Sequence, residues 1–108
     1  MLKLDDITPY VVSIKKSRSA KIQSYNKLKE RIKSIFNKEP HIVGVDGECL
    51  SKDQIKNHMS KNIKRKLRNG EVGLCLSTME IYDNMINNNT KAAIIFEDDA
   101  VIKFEDNI

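Results

Sequence analysis

The chain reads as an α/β unit: a narrow, mostly parallel three-stranded sheet flanked by helices. Three observations predict this. Short β-branched or apolar runs at residues 10–14, 41–45 and 92–96 have the length of strands. Helical spacing of apolar residues fills the intervals between them. The resulting order, β-α-β-(α)-α-β, implies parallel strands joined by right-handed crossovers, with both faces of the sheet covered.

Each element follows from its residues. Tyr10, Val11, Val12 and Ile14 make the first strand. Residues 17–21 turn into a helix on which Ile22, Tyr25, Leu28, Ile32, Ile35 and Phe36 recur at helical spacing through about Asn37, and Pro40 stops it. Residues 41–45 form the second strand, closed by the turn signal Asp46-Gly47. Ser51 with Gln54 has the spacing of a capping box and predicts a short helix over residues 52–59. Residues 60–70 are polar and basic, a loop with a helical piece. A further helix is predicted from about Glu71 to Asn87, burying Val72, Cys75, Leu76, Met79, Tyr82, Met85 and Ile86. Residues 87–90, Asn-Asn-Asn-Thr, make a turn into the last strand.

Composition narrows the class. With 108 residues, 40% hydrophobic and 31% charged, the chain fits one domain, residues 1–108, or part of one, with a modest core. No run of 18 apolar residues exists and the first residues lack the apolar core of a signal peptide, so the expected location is cytoplasmic. Cys49 and Cys75 have no C-x-x-C spacing and read as buried or half-buried thiols of a reducing compartment. His41 and His58 belong to no motif and read as structural or exposed. Charge is unevenly placed: residues 1–69 carry 17 Lys/Arg against 7 Asp/Glu, a net of +10, and residues 70–108 carry 2 against 8, a net of −6. The basic part suits phosphates, acidic lipid or nucleic acid, and the acidic part suits a metal; mutual attraction of two solvated faces explains the same pattern.

The densest chemical signal is Ala92-Ala93-Ile94-Ile95-Phe96-Glu97-Asp98-Asp99. Three adjacent carboxylates at a strand end repel one another by roughly 1 kcal/mol or more per pair near a protein surface, and a divalent cation offsets that best. Ligand sites of open α/β sheets lie beyond the carboxyl ends of the strands. The cluster therefore points to a metal-assisted nucleotide or phosphate site, although a solvated acidic loop would read the same way.

Four segments, taken together, resemble the family 25 glycosyltransferases, which include bacterial lipopolysaccharide and lipooligosaccharide galactosyltransferases and collagen hydroxylysine galactosyltransferases. Val12-Ser13-Ile14-Lys15-Lys16-Ser17 resembles the family's I-N-L-x-R-S. Gly44-Val45-Asp46-Gly47 resembles A-V-D-G, and Gly70-Glu71-Val72-Gly73-Leu74-Cys75-Leu76-Ser77 resembles G-E-x-G-C-x-x-S-H. Ile94-Ile95-Phe96-Glu97-Asp98-Asp99-Ala100 resembles L-I-L-E-D-D. Thr78 stands where the family has His, Cys75 is one place late, and Ser19-Ala20-Lys21, with Arg18 nearby, replaces a D-R-R cluster.

The resemblance implies a partial GT-A (Rossmann-like) nucleotide-sugar-binding domain and transfer of galactose or glucose from a UDP-sugar to a glycan or hydroxylysine-type acceptor. It implies Mn²⁺ or Mg²⁺ bridging the diphosphate, with Asp99 as direct ligand, Asp98 as a second candidate and Glu97 as a ribose or outer contact. Lys15, Lys16 and Arg18, beside a helix N-terminus, are placed to touch phosphate or ribose, and Asp46 to touch uridine or ribose. Solvated basic residues and a plain Asp-Gly turn are the alternatives at those positions. Glu71 reads as a helix-start residue favoured by the dipole. Because the family continues past E-D-D, the expectation is the front half of a larger domain, weakly active or inactive alone and prone to self-association through an uncovered sheet edge. A different class, a non-enzymatic nucleic-acid-binding module using the basic residues 61–68, lacks interleaved aromatics and leaves the acidic cluster unexplained. A Ca²⁺ module fails the EF-hand spacing.

Overall fold

The computed structural model describes residues 2–49, 51, 53 and 69–103. Strand β1 spans Ile7–Val12, helix α1 Lys15–Ala20, helix α2 Ile22–Phe36, strand β2 His41–Val43, helix α3 Asn69–Asn87 and strand β3 Ala92–Glu97, with 3₁₀ turns at Leu4–Asp6 and Gly47–Cys49. The expected helix over residues 52–59, the basic loop and His58 lie outside the described residues.

The sheet has the order β2-β1-β3, and both pairings are parallel. Val12 lies opposite Val43 on one side and Glu97 on the other. The three strands therefore end level, which brings their following turns to one edge. Strand β1 starts three residues earlier than its β-branched run suggests, because Thr8 and Pro9 pair with Ala93 and Ile94. Strand β2 begins opposite Tyr10, so at Pro9 the central strand has a partner on one side only, a setting that tolerates a residue without an N–H. Strand β2 is shorter than expected: past Val43 the chain leaves the ladder, and the Val45 N–H turns to Ser77 Oγ at 2.8 Å.

Alternation along the strands produces two cores. Val11 on one face packs with Tyr25, Leu28, Ile32 and Phe36 of α2, joined by Ile42 and Phe96. Tyr10 and Val43 on the other face pack with Ile81 of α3, joined by Met85 and Ala93. This is a three-layer helix–sheet–helix unit. Each fully buried Leu or Ile contributes about 1.5–3 kcal/mol, so Leu28 and Ile32, buried on α2, anchor one layer and Ile81 the other. Asn37 caps α2 in the left-handed region (φ 53°), and its N–H bonds to Lys33 O at 2.9 Å.

Helix α3 buries only part of the face its apolar spacing predicts: Val72 is buried and Leu76 and Met85 are half-buried as expected, but the rest of that face is turned out. Val72, Gly73, Ser77 and Ile81 are buried, whereas Cys75, Met79, Tyr82 and Ile86 are exposed. Apolar residues lie all around this helix, so periodicity alone does not choose a face. The close contact with the loop after β2 chooses it. A side chain at Gly73 would place Cβ 2.6 Å from Val45 O and 2.7 Å from Gly47 N, so glycine faces the loop and the stripe 73-77-81-85 follows it inward. Cys75 is thereby turned out and Cys49 lies on the 3₁₀ turn, so both thiols are free and exposed rather than buried. Ile22, expected in the core of α2, is also half exposed. His41 is exposed and stacks on Tyr10, with ring centroids 5.1 Å apart.

Candidate functional site

The turns after the three strands and the start of α3 enclose a cleft of about 320 Å³. The end of β1 and the first turns after it contribute Val12, Ser13, Ile14, Ser17 and Lys21; the loop after β2 contributes Val45; α3 contributes Gly70, Leu74 and Ser77; and the end of β3 contributes Glu97, Asp98 and Asp99.

Strand β3 ends at Glu97, with Asp98 and Asp99 in the turn that follows, and the three carboxylates have different surroundings. Asp98 is buried, and its Oδ2 accepts a hydrogen bond from Ser13 Oγ at 3.0 Å. Ser13 is itself fixed: its N–H bonds to Val43 O at 2.8 Å, and Gly44 lies so close that a Cβ there would sit 2.0 Å from Ser13 O. Asp99 is half exposed and forms an ion pair with Lys21, Nζ to Oδ2 3.3 Å. Glu97 is exposed at the lip, and the Ala100 N–H closes a turn onto its carbonyl at 3.0 Å. On the opposite wall Ser77 Oγ donates to Gly73 O at 2.8 Å while accepting from Val45 N–H, which pins the β2 loop to α3.

Four residues expected at the site do not line the cleft. Lys15 and Lys16 are exposed on the first turn of α1. The Arg18 guanidinium lies over the Tyr25 ring, 5.9 Å from its centroid, and so is directed to α2. Asp46 is occupied by its own turn: Oδ1 accepts from the Glu48 N–H at 3.0 Å and Oδ2 from the Cys49 thiol at 3.4 Å. That hydrogen bond, together with the carboxylate charge, pushes the Cys49 thiol pKa up. The sequence reading missed Ser13 and Lys21 as site residues. Ser13 lies within the first motif segment and Lys21 within the stretch that replaces the family's D-R-R cluster, but nothing local marks the Lys21 partner Asp99, far away in sequence.

Among the described residues no three His, Cys, Asp or Glu side chains converge to hold a metal ion. The donor chemistry still fits one kind of ion. Mg²⁺ or Mn²⁺ takes hard oxygen ligands and is commonly held by one or two carboxylates, with substrate phosphates and water completing the shell. Asp99, half exposed within the cleft, offers such a carboxylate.

Fold and site together define a Rossmann-like α/β unit with a cleft, ending in three carboxylates, at the carboxyl edge of a parallel sheet. The chain belongs to glycosyltransferase family 25: the sequence model of that family, described as Glycosyltransferase family 25 (LPS biosynthesis protein), matches residues 6–108. Comparisons with curated proteins and with solved structures gave no match. At least 16 residues separate any two of the four motif segments in sequence, yet among the described residues every one that lines the cleft except Lys21 belongs to one of them. No helix among the described residues is long and apolar enough to cross a membrane.

Proposed function

We propose that this glycosyltransferase domain binds a UDP-sugar in the cleft at the carboxyl edge of its sheet and serves transfer of galactose or glucose to a glycan or hydroxylysine-type acceptor. The observation that carries the reading is the meeting of all four family segments around one cleft that ends in Glu97, Asp98 and Asp99. A divalent cation, Mn²⁺ or Mg²⁺, would supply Lewis-acid stabilisation of the departing diphosphate.

The residues divide the work by their surroundings. Asp99 is the metal ligand, because its carboxylate is half exposed within the cleft. Asp98 is the strut that holds the β3 turn against β1 through Ser13, which orients Asp99 beside it. Glu97, at the lip, meets ribose hydroxyls as an acceptor. Lys15 and Lys16 add positive charge on the same side of the sheet and steer the anionic donor toward the cleft.

The test is calorimetric titration of UDP with and without Mn²⁺ on folded protein and on Asp99→Ala. UDP binds more tightly with Mn²⁺, and the substitution abolishes the difference. Equal UDP affinity with and without Mn²⁺ in the unsubstituted protein would overturn the role assigned to Asp99.

A further inference from the structure

Lys21 sits at the break between α1 and α2, where the backbone leaves helical geometry (φ −126°, ψ 40°). Its N–H still bonds to Ser17 O at 3.0 Å, and its carbonyl still accepts from the Tyr25 N–H at 2.9 Å. The main chain is thus fixed on both sides of the break. The side chain reaches the end of β3, where Nζ lies 3.3 Å from Asp99 Oδ2. Among the described residues Lys21 is the one basic residue lining the cleft, and the one lining residue outside the four family segments. The carboxylate assigned to the metal is therefore paired with an ammonium of the same cleft.

We propose that Lys21 and the divalent cation compete for Asp99, and that Lys21, displaced from it, pairs with the diphosphate of the nucleotide. The inference rests on the donor-site reading above. Its basis is electrostatic. An ammonium and a divalent cation on one carboxylate repel each other, and the diphosphate of a bound nucleotide offers the lysine another anion. A lysine suits the exchange because its compact charge rides on a flexible four-carbon stem. Half exposure of both partners keeps the pair weak enough to break. The consequence is a sign reversal: Lys21 opposes binding of the metal alone and favours binding of the nucleotide.

Lys21→Met keeps the length of the stem and removes the charge; Lys21→Gln is a second neutral variant and Lys21→Arg retains the charge. Thermal melts establish that each variant is folded. Mn²⁺ alone, titrated with calorimetric or paramagnetic-resonance detection, binds the neutral variants roughly two- to fivefold more tightly than the unsubstituted protein, the range that loss of one exposed ion pair spans. UDP, titrated without metal and then with Mg²⁺, binds them more weakly, and Lys21→Arg keeps both affinities close to the original. Mn²⁺ affinity that is unchanged or lower in folded Lys21→Met and Lys21→Gln would overturn the exchange while leaving the donor site standing. Absence of Mn²⁺ binding to the unsubstituted protein, with and without UDP, would overturn both.

Discussion

Two glycines on one helix respond to the same substitution with opposite sign. Replacing a helical Gly by Ala removes backbone entropy from the unfolded chain and gains about 0.5–1 kcal/mol where the added methyl group fits. At Gly70 it fits, because nothing among the described residues lies within 4 Å of the added Cβ. At Gly73 the added Cβ falls 2.6 Å from Val45 O and 2.7 Å from Gly47 N, both backbone atoms that no side-chain rotation can move. Relief requires a displacement of roughly 0.7 Å or more, and overpacking of this kind costs about 1–3 kcal/mol. The same displacement stretches the 2.8 Å bond from Val45 N–H to Ser77 Oγ toward its limit. The strain therefore exceeds the propensity gain, leaving Gly73→Ala about 1–2 kcal/mol less stable while Gly70→Ala gains up to about 1 kcal/mol. With a urea m-value of about 1–3 kcal/mol/M for a small protein, the Gly73→Ala midpoint falls by about 0.3–2 M and the Gly70→Ala midpoint rises. Because the loop that moves forms one wall of the cleft, Gly73→Ala also weakens UDP binding. A Gly73→Ala protein as stable as the original would refute the packing of α3 against the β2 loop.

Three further outcomes follow from the packing and the charges. Ile81→Ala on the inward stripe of α3 costs about 2–5 kcal/mol, whereas Ile86→Ala, at a position 72% exposed, stays within about 0.5 kcal/mol; equal losses in denaturant titrations would mean that α3 is wrongly rotated. The hydrogen bond from Lys3 N–H, aided by Lys91, holds the Asp6 carboxyl below the ordinary 3.8; its stabilisation is complete above that value and is lost as pH falls through the lower folded-state pKa, so stability declines with acid below about pH 4 and Asp6→Asn flattens the decline, as acid titration of the two proteins by circular dichroism will show. Asp46→Ala removes both the hydrogen bond and the charge that raise the Cys49 thiol pKa, so alkylation at pH 8, followed on the Cys49 peptide by mass spectrometry, speeds up; an unchanged rate would mean that Asp46 is not turned onto its own loop.

The sheet was legible because its order is written in alternating runs, and level strand ends follow from parallel crossovers. The start of β1 was not, since Pro9 is tolerated only because β2 begins one residue later, a fact of pairing rather than of local sequence. The acidic cluster marked one wall of the cleft, but not the different surroundings of its members: those depend on Ser13 meeting Asp98 across 85 residues. The buried face of α3 was hidden because Val72, Leu74, Cys75, Met79, Ile81, Tyr82 and Ile86 supply apolar surface on all sides, and two small residues, Gly73 and Ser77, decide the rotation. Lys21 stands in the stretch that replaces the family's D-R-R cluster, but its place in the cleft arises from the break between α1 and α2 and a contact 78 residues away.

Location of the donor site is the central claim, and paramagnetic broadening by Mn²⁺ in the presence of UDP tests it most directly. The two edges of the sheet offer rival positions: the cleft at the carboxyl ends, and a polar cavity of about 420 Å³ at the opposite edge lined by Asp5, Asp6, Thr8, His41 and residues 88–91. With substoichiometric Mn²⁺ and saturating UDP, the amide signals of Ser13, Ser17, Asp98 and Asp99 broaden first, while those of Asp6, Thr90 and Lys91 persist. Broadening centred on Asp6, Thr90 and Lys91, or spread evenly over the protein, would contradict a donor site at the carboxyl edge.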